Sequence, residues 1–343
     1  MFLKIRKALI HPKASLLFLL RKNAFHWIPD SLFLKIEFRL TMGNRLNLTP
    51  AQTFSEKLQW LKLHDRNPLY TKMADKWSVR QVLLEKAGKD RLIPIIQTFT
   101  VDEEIDFESL PDQFVLKPNH TSGNTFICKD KNAIDRDALR KEVRRWMKRR
   151  YFWEHREWPY KGIQPKLLCE KNLGELGSPF REIGFFCFNG LPLFACEEHP
   201  AKNPHSNAYT VCDLRSHFPG KKDTIQKLEM PQDPAKKEDY RPCQIWKSAD
   251  VQTMFPNFSL LERMIGLCVR LSEHTRFVRL DFYLFEDRFF FGECAFFPLA
   301  GIQPFQQPEW DLLFGKCLDL PVSNDRVPSK TSPRRTSKRG ANQ

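Results

Sequence analysis

Two acidic residues stand at matching places in one short stretch of this chain. Phe277-Val-Arg-Leu-Asp-Phe-Tyr283 and Phe289-Phe-Phe-Gly-Glu293 both alternate in the β manner, with Glu286-Asp287-Arg288 between them as a turn. Paired as an antiparallel hairpin closed by those three residues, Phe285 faces Phe289, Tyr283 faces Phe291 and Asp281 faces Glu293. Two carboxylates that close repel each other unless a cation lies between them. Hard oxygen donors of this kind suit Mg²⁺, which takes one or two carboxylates plus substrate phosphates. A solvated hairpin face with ordinary surface acids is the plainer alternative.

A second stretch could handle phosphate. Within residues 113–129 a strand delivers Lys117 at its end, a small polar turn follows (Thr121-Ser122-Gly123-Asn124), and a second strand leaves it. Backbone N–H groups of such a turn, beside a lysine, can cradle phosphates, although the G-x-x-x-x-G-K-[ST] phosphate loop is absent. His120 could order that turn or serve it only structurally. His199, His205 and His217 lack metal-ligand spacing. Asp135-Arg-Asp137 is the one Asp-x-Asp and stands at the start of a basic helix, where it reads as N-terminal capping. The basic helix over 136–150 and the aromatic run 151–160 could bind single-stranded nucleic acid. Their placement favours a packed lobe interface, and no nucleic acid is expected.

The elements that must position these groups alternate. Thr53 or Ser55 caps a helix bearing Leu58, Trp60 and Leu61, a second helix is expected over 70–87, and a buried strand over 92–100. Residues 165–173 form a strand ending at Glu170. Residues 180–196 form a hairpin with an Asn189-Gly190 turn. Residues 197–250 read as a polar, Pro-rich loop region, and 260–273 as a helix feeding the acidic hairpin. Alternating helix and strand suggests an α/β or α+β domain; the resemblance described below narrows this to α+β. Short helices over 1–46, interrupted at Pro12 and Pro29, serve either as a helical cap on the main domain or as a basic dock onto an anionic membrane.

Composition narrows the class. With 343 residues, 41% apolar and 13% aromatic, the chain can build a sizeable core. The net charge of +14 suits an anionic partner. Nine cysteines contain no C-x-x-C pair, and buried free thiols in a reducing compartment explain them. No apolar run reaches the ~20 residues of a membrane span. The expected location is cytoplasmic, with peripheral contact at the inner membrane face as an option.

Seven phrases in order give a family resemblance. Phe54-Ser-Glu-Lys-Leu-Gln-Trp60, Asp65-Arg-Asn-Pro-Leu-Tyr-Thr-Lys72, Ala74-Asp-Lys-Trp-Ser-Val-Arg80, Phe114-Val-Leu-Lys-Pro-Asn-His120, Arg156-Glu-Trp-Pro-Tyr160, Phe186-Cys-Phe-Asn-Gly190 and the acidic hairpin resemble the TupA-like ATP-grasp family of bacterial surface-polysaccharide biosynthesis. The resemblance implies an ATP-grasp fold, with nucleotide held between two α+β lobes over residues 47–320. A basic helical N-terminal extension (1–46) and a disordered basic tail (321–343) flank it. It implies ATP and Mg²⁺ as cofactors. Lys117 would contact the phosphates under the Thr121, Ser122, Gly123 and Asn124 turn, and Glu170 through Leu173 would recognise adenine. Glu182 would bind the ribose, Asp281 and Glu293 would hold the metal, and Arg279 would stabilise charge on the transferring group.

The implied activity is an ATP-dependent carboxylate–amine ligase acting through an acylphosphate. Its acceptor would be an anionic, uronic-acid-containing glycan, coupled to an amine donor. A glycosyltransferase of polysaccharide biosynthesis and a nucleotide-binding pseudo-enzyme remain alternatives. Three departures from the family pattern bear on them. Glu182-Ile-Gly184 stands where Asp-Tyr-Lys is usual, Thr121 replaces a glycine, and Ala295 replaces a third oxygen ligand.

Overall fold

The fold is seen in a computed structural model that describes residues 12–21, 25–177, 179–201, 206–218, 226–232 and 243–321. The basic residues Lys4, Arg6 and Lys7, His205 and the tail from 322 onward lie outside the described residues. In chain order the main helices are α1 (Pro12–Leu20), α2 (Asp30–Met42), α3 (Phe54–His64), α4 (Leu69–Ala74), α5 (Val79–Ala87), α6 (Arg136–Met147), α7 (Phe258–Ser272) and α8 (Pro308–Cys317). Strands are β1 (Ile95–Phe99), β2 (Phe114–Pro118), β3 (Phe126–Cys128), β4 (Leu167–Glu170), β5 (Arg181–Phe188), β6 (Leu191–Pro200), β7 (Asn207–Asp213), β8 (Gln244–Ser248), β9 (Phe277–Leu284) and β10 (Phe289–Ala295).

They form two sheets. A four-stranded sheet runs β1-β4-β2-β3 and a six-stranded one β10-β9-β5-β6-β7-β8. All neighbours are antiparallel except β7 and β8. The smaller sheet buries Phe99, Phe114 and Leu116 with Leu139, Val143 and Trp146 of α6. The larger carries an aromatic core in which Phe54, Phe186, Phe188, Phe277 and Phe314 converge, Phe54 and Phe277 with ring centroids 4.8 Å apart. Aromatic residues at alternate strand positions drive both, because each face then presents one continuous apolar surface.

Local signals were legible where a side chain closes a backbone bond. Thr53 caps α3, accepting from the Glu56 N–H at 3.2 Å, while Glu56 Oε2 accepts from the Thr53 N–H at 3.1 Å. Asn189 and Gly190 turn between β5 and β6 with φ of 51° and 85°, the doubly positive pair that such a tight hairpin needs.

Three expectations change. The single helix expected over 70–87 is two, α4 and α5, parted where Asp75 takes the Trp77 N–H and the Ser78 hydroxyl. Those local bonds compete with the helix ladder and turn the chain. The strand at 92–100 starts at Ile95 and buries only Phe99, because β1 is a sheet edge; Leu92 and Ile93 before it are a buried pair. The 197–250 region is not only loop. β6 runs on to Pro200, and β7 and β8 add two strands in which Tyr209, Val211 and Trp246 face inward. Polar composition concealed that two-residue period.

The N-terminal helices pack on the body. Phe33, Leu34 and Phe38 of α2 are buried, and the Arg156 guanidinium lies 4.1 Å from the Phe33 ring centre. Helix α8 crosses the start of α3 so closely that a Cβ on Gly315 would lie 2.3 Å from the Gln52 carbonyl oxygen. Gly315→Ala should therefore destabilise the fold by about 3 kcal/mol, an overpacking cost against backbone, read as a lowered midpoint in urea unfolding. An unchanged midpoint would mean that α8 slides freely.

Candidate functional site

Asp281 and Glu293 do face each other across β9 and β10. They arrive there by a different route from the one the sequence suggests. Near the turn Leu284, not Phe285, pairs with Phe289, and Tyr283 pairs with Phe290. A bulge at Gly292 then inserts one residue and restores the pairing of Asp281 with Glu293. Gly292 is needed for that approach, since a Cβ there would sit 3.0 Å from the Asp281 carbonyl oxygen.

Each acid already has a cation. Arg279 clasps Asp281 with two bonds, Nε to Oδ1 and Nη2 to Oδ2, both 2.7 Å. Lys76 Nζ lies 2.9 Å from Glu293 Oε2 and donates to the Thr121 carbonyl at 2.8 Å. Burial raises the Asp281 carboxyl above its ordinary range even against Arg279. At Glu293 burial pushes the same way, but Lys76, Arg279 and Lys117 together outweigh it and hold that carboxyl low. Gly184 lies directly across the sheet from Asp281. A Cβ there would meet Asp281 Oδ1 at 2.9 Å and Arg279 Cδ at 3.1 Å. The space over Gly184 is thus taken by the Arg279–Asp281 pair.

The polar turn at residues 121–124 sits beside this hairpin. Lys117 near the end of β2 is buried and pairs with Glu170 at 2.5 Å, while Arg80 reaches the same carboxylate at 3.9 Å. Gly123 takes φ of 77°. Thr121 is buried and its hydroxyl donates to Asn124 Oδ1 at 3.1 Å. Ser122 offers its carbonyl to Arg149 at 3.3 Å. Asn119 ties the base of the turn to the helix break, donating to Asp75 at 2.7 Å and accepting from the Lys166 N–H at 2.7 Å. His120 is buried with Nε2 unpartnered, and desolvation lowers its pKa, so the ring is neutral. Leu173 joins Ile93 and Phe285 in an apolar seam between the sheets, flanked by Tyr283. Glu182 pairs across β9 with that tyrosine and borders an open depression of about 550 Å³.

Lys117, the 121–124 turn, Glu170, Glu182, Arg279, Asp281 and Glu293 all belong to β2, β4, β5, β9, β10 or the turn after β2. Asp135-x-Asp137 does not join them: Asp135 accepts from the Ala138 N–H at 2.9 Å to cap α6, and Asp137 pairs with Arg140. Sequence reasoning missed Lys76 and Arg80, which lie inside a phrase already singled out, around the helix break. It also missed Glu157, an acid set among Trp153, Trp158 and Tyr160. A charge inside an aromatic run is a signal of burial with a purpose.

A cavity of about 1070 Å³ opens from Arg279 and Glu293 past Ser122, Gly123 and Arg149. Its far wall includes Leu17, Arg21 and residues 40–43 from the N-terminal helices, and Glu157, Tyr151 and Tyr160 line it too. The turn at Leu299 and Ala300, both with positive φ (50° and 55°), forms another side. Lys62 fixes that turn by donating to the Ala300 carbonyl at 2.8 Å.

As a metal site the hairpin offers two hard carboxylates. No cluster of three or more His, Cys, Asp or Glu occurs among the described residues. That donor set fits Mg²⁺, an ion that completes its shell with phosphate oxygens and water.

Comparison with known proteins gives the following. The model of the family described as TupA-like ATPgrasp matches residues 56–244 and 239–319. No curated protein matches by sequence. Among solved structures, a D-alanine–D-alanine ligase from Bacillus anthracis complexed with ATP is similar at 14% identity, over 71% of this chain and 64% of that one, TM-score 0.37. An L-amino acid ligase from Bacillus licheniformis is similar at 13% identity, over 85% of this chain and 61% of that one, TM-score 0.38. The chain spans less than two thirds of the length of either. The ATP-grasp ligase PsnB, complexed with a minimal precursor, Mg and ADP, is similar at 12% identity over 85% and 71%, TM-score 0.33.

Lys76→Met should strand the Glu293 carboxylate and cost about 2 kcal/mol, less than a fully buried pair because both groups keep some exposure. Adding Glu293→Gln should restore at least half of that in chemical denaturation. Glu293 has a lowered pKa, so the pair stabilises above the ordinary carboxylate value of 4.5 and fades as pH falls below it. The cost of Lys76→Met should shrink over the same range. A cost independent of pH would place Lys76 in packing alone.

Proposed function

The chain belongs to the TupA-like ATP-grasp family, and from that premise we propose that it is an ATP- and Mg²⁺-dependent carboxylate–amine ligase. Its substrate is an acidic surface glycan carrying uronic acid groups. The observation that carries this reading is one convergence: Asp281 and Glu293 face each other while Lys76, Lys117 and Arg279 crowd the same space beside a polar turn. Five charged side chains of both signs, two of which (Arg279 and Glu293) line the open cavity, suit a polyphosphate and its cation better than any uncharged ligand.

In the reaction, an oxygen of the substrate carboxylate attacks the γ-phosphorus of ATP, and the bond to the β–γ bridging oxygen breaks, releasing ADP. The acylphosphate so formed is attacked at its carbonyl carbon by an amine, and phosphate leaves with the C–O bond. Asp281 and Glu293 are the residues to hold the metal ion, which supplies neutralisation of phosphate charge. Lys117 binds the transferred phosphate's oxygens once Glu170 yields part of its hold, and the Ser122 and Gly123 backbone closes over them. Arg279 lines the cavity and is the group to stabilise charge that develops on the transferring phosphoryl. Leu173 and its apolar seam receive the base, and Glu182 the ribose hydroxyls. Arg279 and Lys76 compensate in charge for the lysine the family pattern has at the place of Gly184. The net charge of +14 supports an anionic acceptor.

Calorimetric titration with a non-hydrolysable ATP analogue and Mg²⁺ tests the reading, with UDP-sugars for comparison. The analogue should bind, and Asp281→Asn or Glu293→Gln should weaken it at least tenfold and abolish turnover. UDP-sugar binding in its place would support a glycosyltransferase and overturn the ligase. Binding of neither would leave a relic of the fold.

A further inference from the structure

The ligase chemistry above leaves one buried acid without a task. Glu157 is 4% exposed, and its Oε1 has no hydrogen-bond partner. It lines the same cavity as Glu293 and Arg279. Lys62, the cation that most favours its ionised form, spends its ammonium on the Ala300 carbonyl. A buried carboxylate oxygen left unsatisfied is costly, and native structures tolerate one where a ligand answers it.

The surroundings define that ligand. Tyr151 and Tyr160 line the same wall with ring centroids 4.7 Å apart, edge to face. Burial raises the pKa of both, so their hydroxyls stay neutral. Carboxylate and aromatic rings together attract an ammonium group, by charge and by the ring quadrupole. No further His, Cys, Asp or Glu cluster among the described residues makes the place a metal site.

We propose that Glu157 receives the amine substrate of the ligase, a primary amine that enters as its ammonium ion. The inference rests on the ligase reading and deepens it. The ammonium gives one N–H proton to the Glu157 carboxylate. Its freed lone pair forms the C–N bond to the acylphosphate carbon, the C–O bond to phosphate breaks, and the second N–H proton leaves with the phosphate. Burial pushes the Glu157 carboxyl up to about 8, so at neutral pH it rests protonated. It sheds that proton to water as the ammonium ion enters, and takes one back from the ammonium at the reaction. Lys62 opposes that shift, while Glu37, Glu154 and Glu293 add to it.

The test uses n-butylamine, an ammonium ion at neutral pH, against n-butanol, its uncharged counterpart of similar shape. Binding of each to the full chain with Mg²⁺ and the ATP analogue is read by saturation-transfer NMR. The wild type should prefer the amine at least tenfold, and Glu157→Gln should bring that preference close to one. No preference in the wild type, or the same preference in Glu157→Gln, overturns the proposal. Should Glu157→Gln fail to fold, Glu157→Asp, which withdraws the carboxylate by one methylene, should lower the preference, and an unchanged one overturns the proposal. Failure of the ATP analogue to bind the wild type would sink the ligase reading instead, and the butylamine result would still be readable by itself.

Discussion

Two carboxylates set opposite each other on adjacent strands are an electrostatic liability, and much of this molecule answers it. Asp281 and Glu293 meet because Gly292 bulges, and the bulge works because a residue with no side chain lets β10 approach the β9 backbone. Arg279 then folds back along its own strand to clasp Asp281, over the space that Gly184 leaves bare. Lys76 reaches Glu293 from another part of the chain, out of the break between α4 and α5. The break exists because Asp75 takes up local donors, and the same Asp75 holds Asn119 at the base of the polar turn. One repulsion is thereby linked to the placing of both sheets.

Three cations around the acidic hairpin and the turn after β2 are each neutralised within the protein. Lys117 has Glu170, Arg279 has Asp281 and Lys76 has Glu293. Under the ligase proposal, an entering metal–phosphate unit brings its own plus and minus and exchanges partners with these pairs without leaving a bare charge in a region of low dielectric. Such an exchange keeps net electrostatic work small while changing which groups touch. It also accounts for the opposed pKa shifts of two adjacent acids. Desolvation is the largest influence on both: it wins at Asp281 against Arg279, whereas at Glu293 three cations together outweigh it.

Much of this was legible in the sequence because it rests on local chemistry. The capping box at Thr53, the Asn189-Gly190 turn, the acidic hairpin and the lysine before a small polar turn each carry their own signature. The facing of Asp281 and Glu293 was read correctly through a register that is one residue off near the turn, since a bulge leaves no mark except a glycine that alternation alone treats as ordinary. The strands at 207–213 and 244–248 were hidden by polar residues, for their backbone pairing does not depend on apolar composition. The roles of Lys76 and Glu157 were out of reach for another reason, although the acid inside an aromatic run marks Glu157 as buried. Their roles depend on partners far along the chain, and no spacing rule connects residue 76 to 293 or residue 157 to the wall of a cavity.

The N-terminal helices contribute Leu17, Arg21 and residues 40–43 to that wall, and the family match begins only at residue 56. That part of the cavity wall is therefore encoded apart from the strands that carry the paired charges. Replacement of this leading segment would reshape the chamber while the hairpin, the bulge and the paired charges stayed as they are. Under the proposed ligase reading, a lineage can diversify its acceptor by exchange of one contiguous stretch.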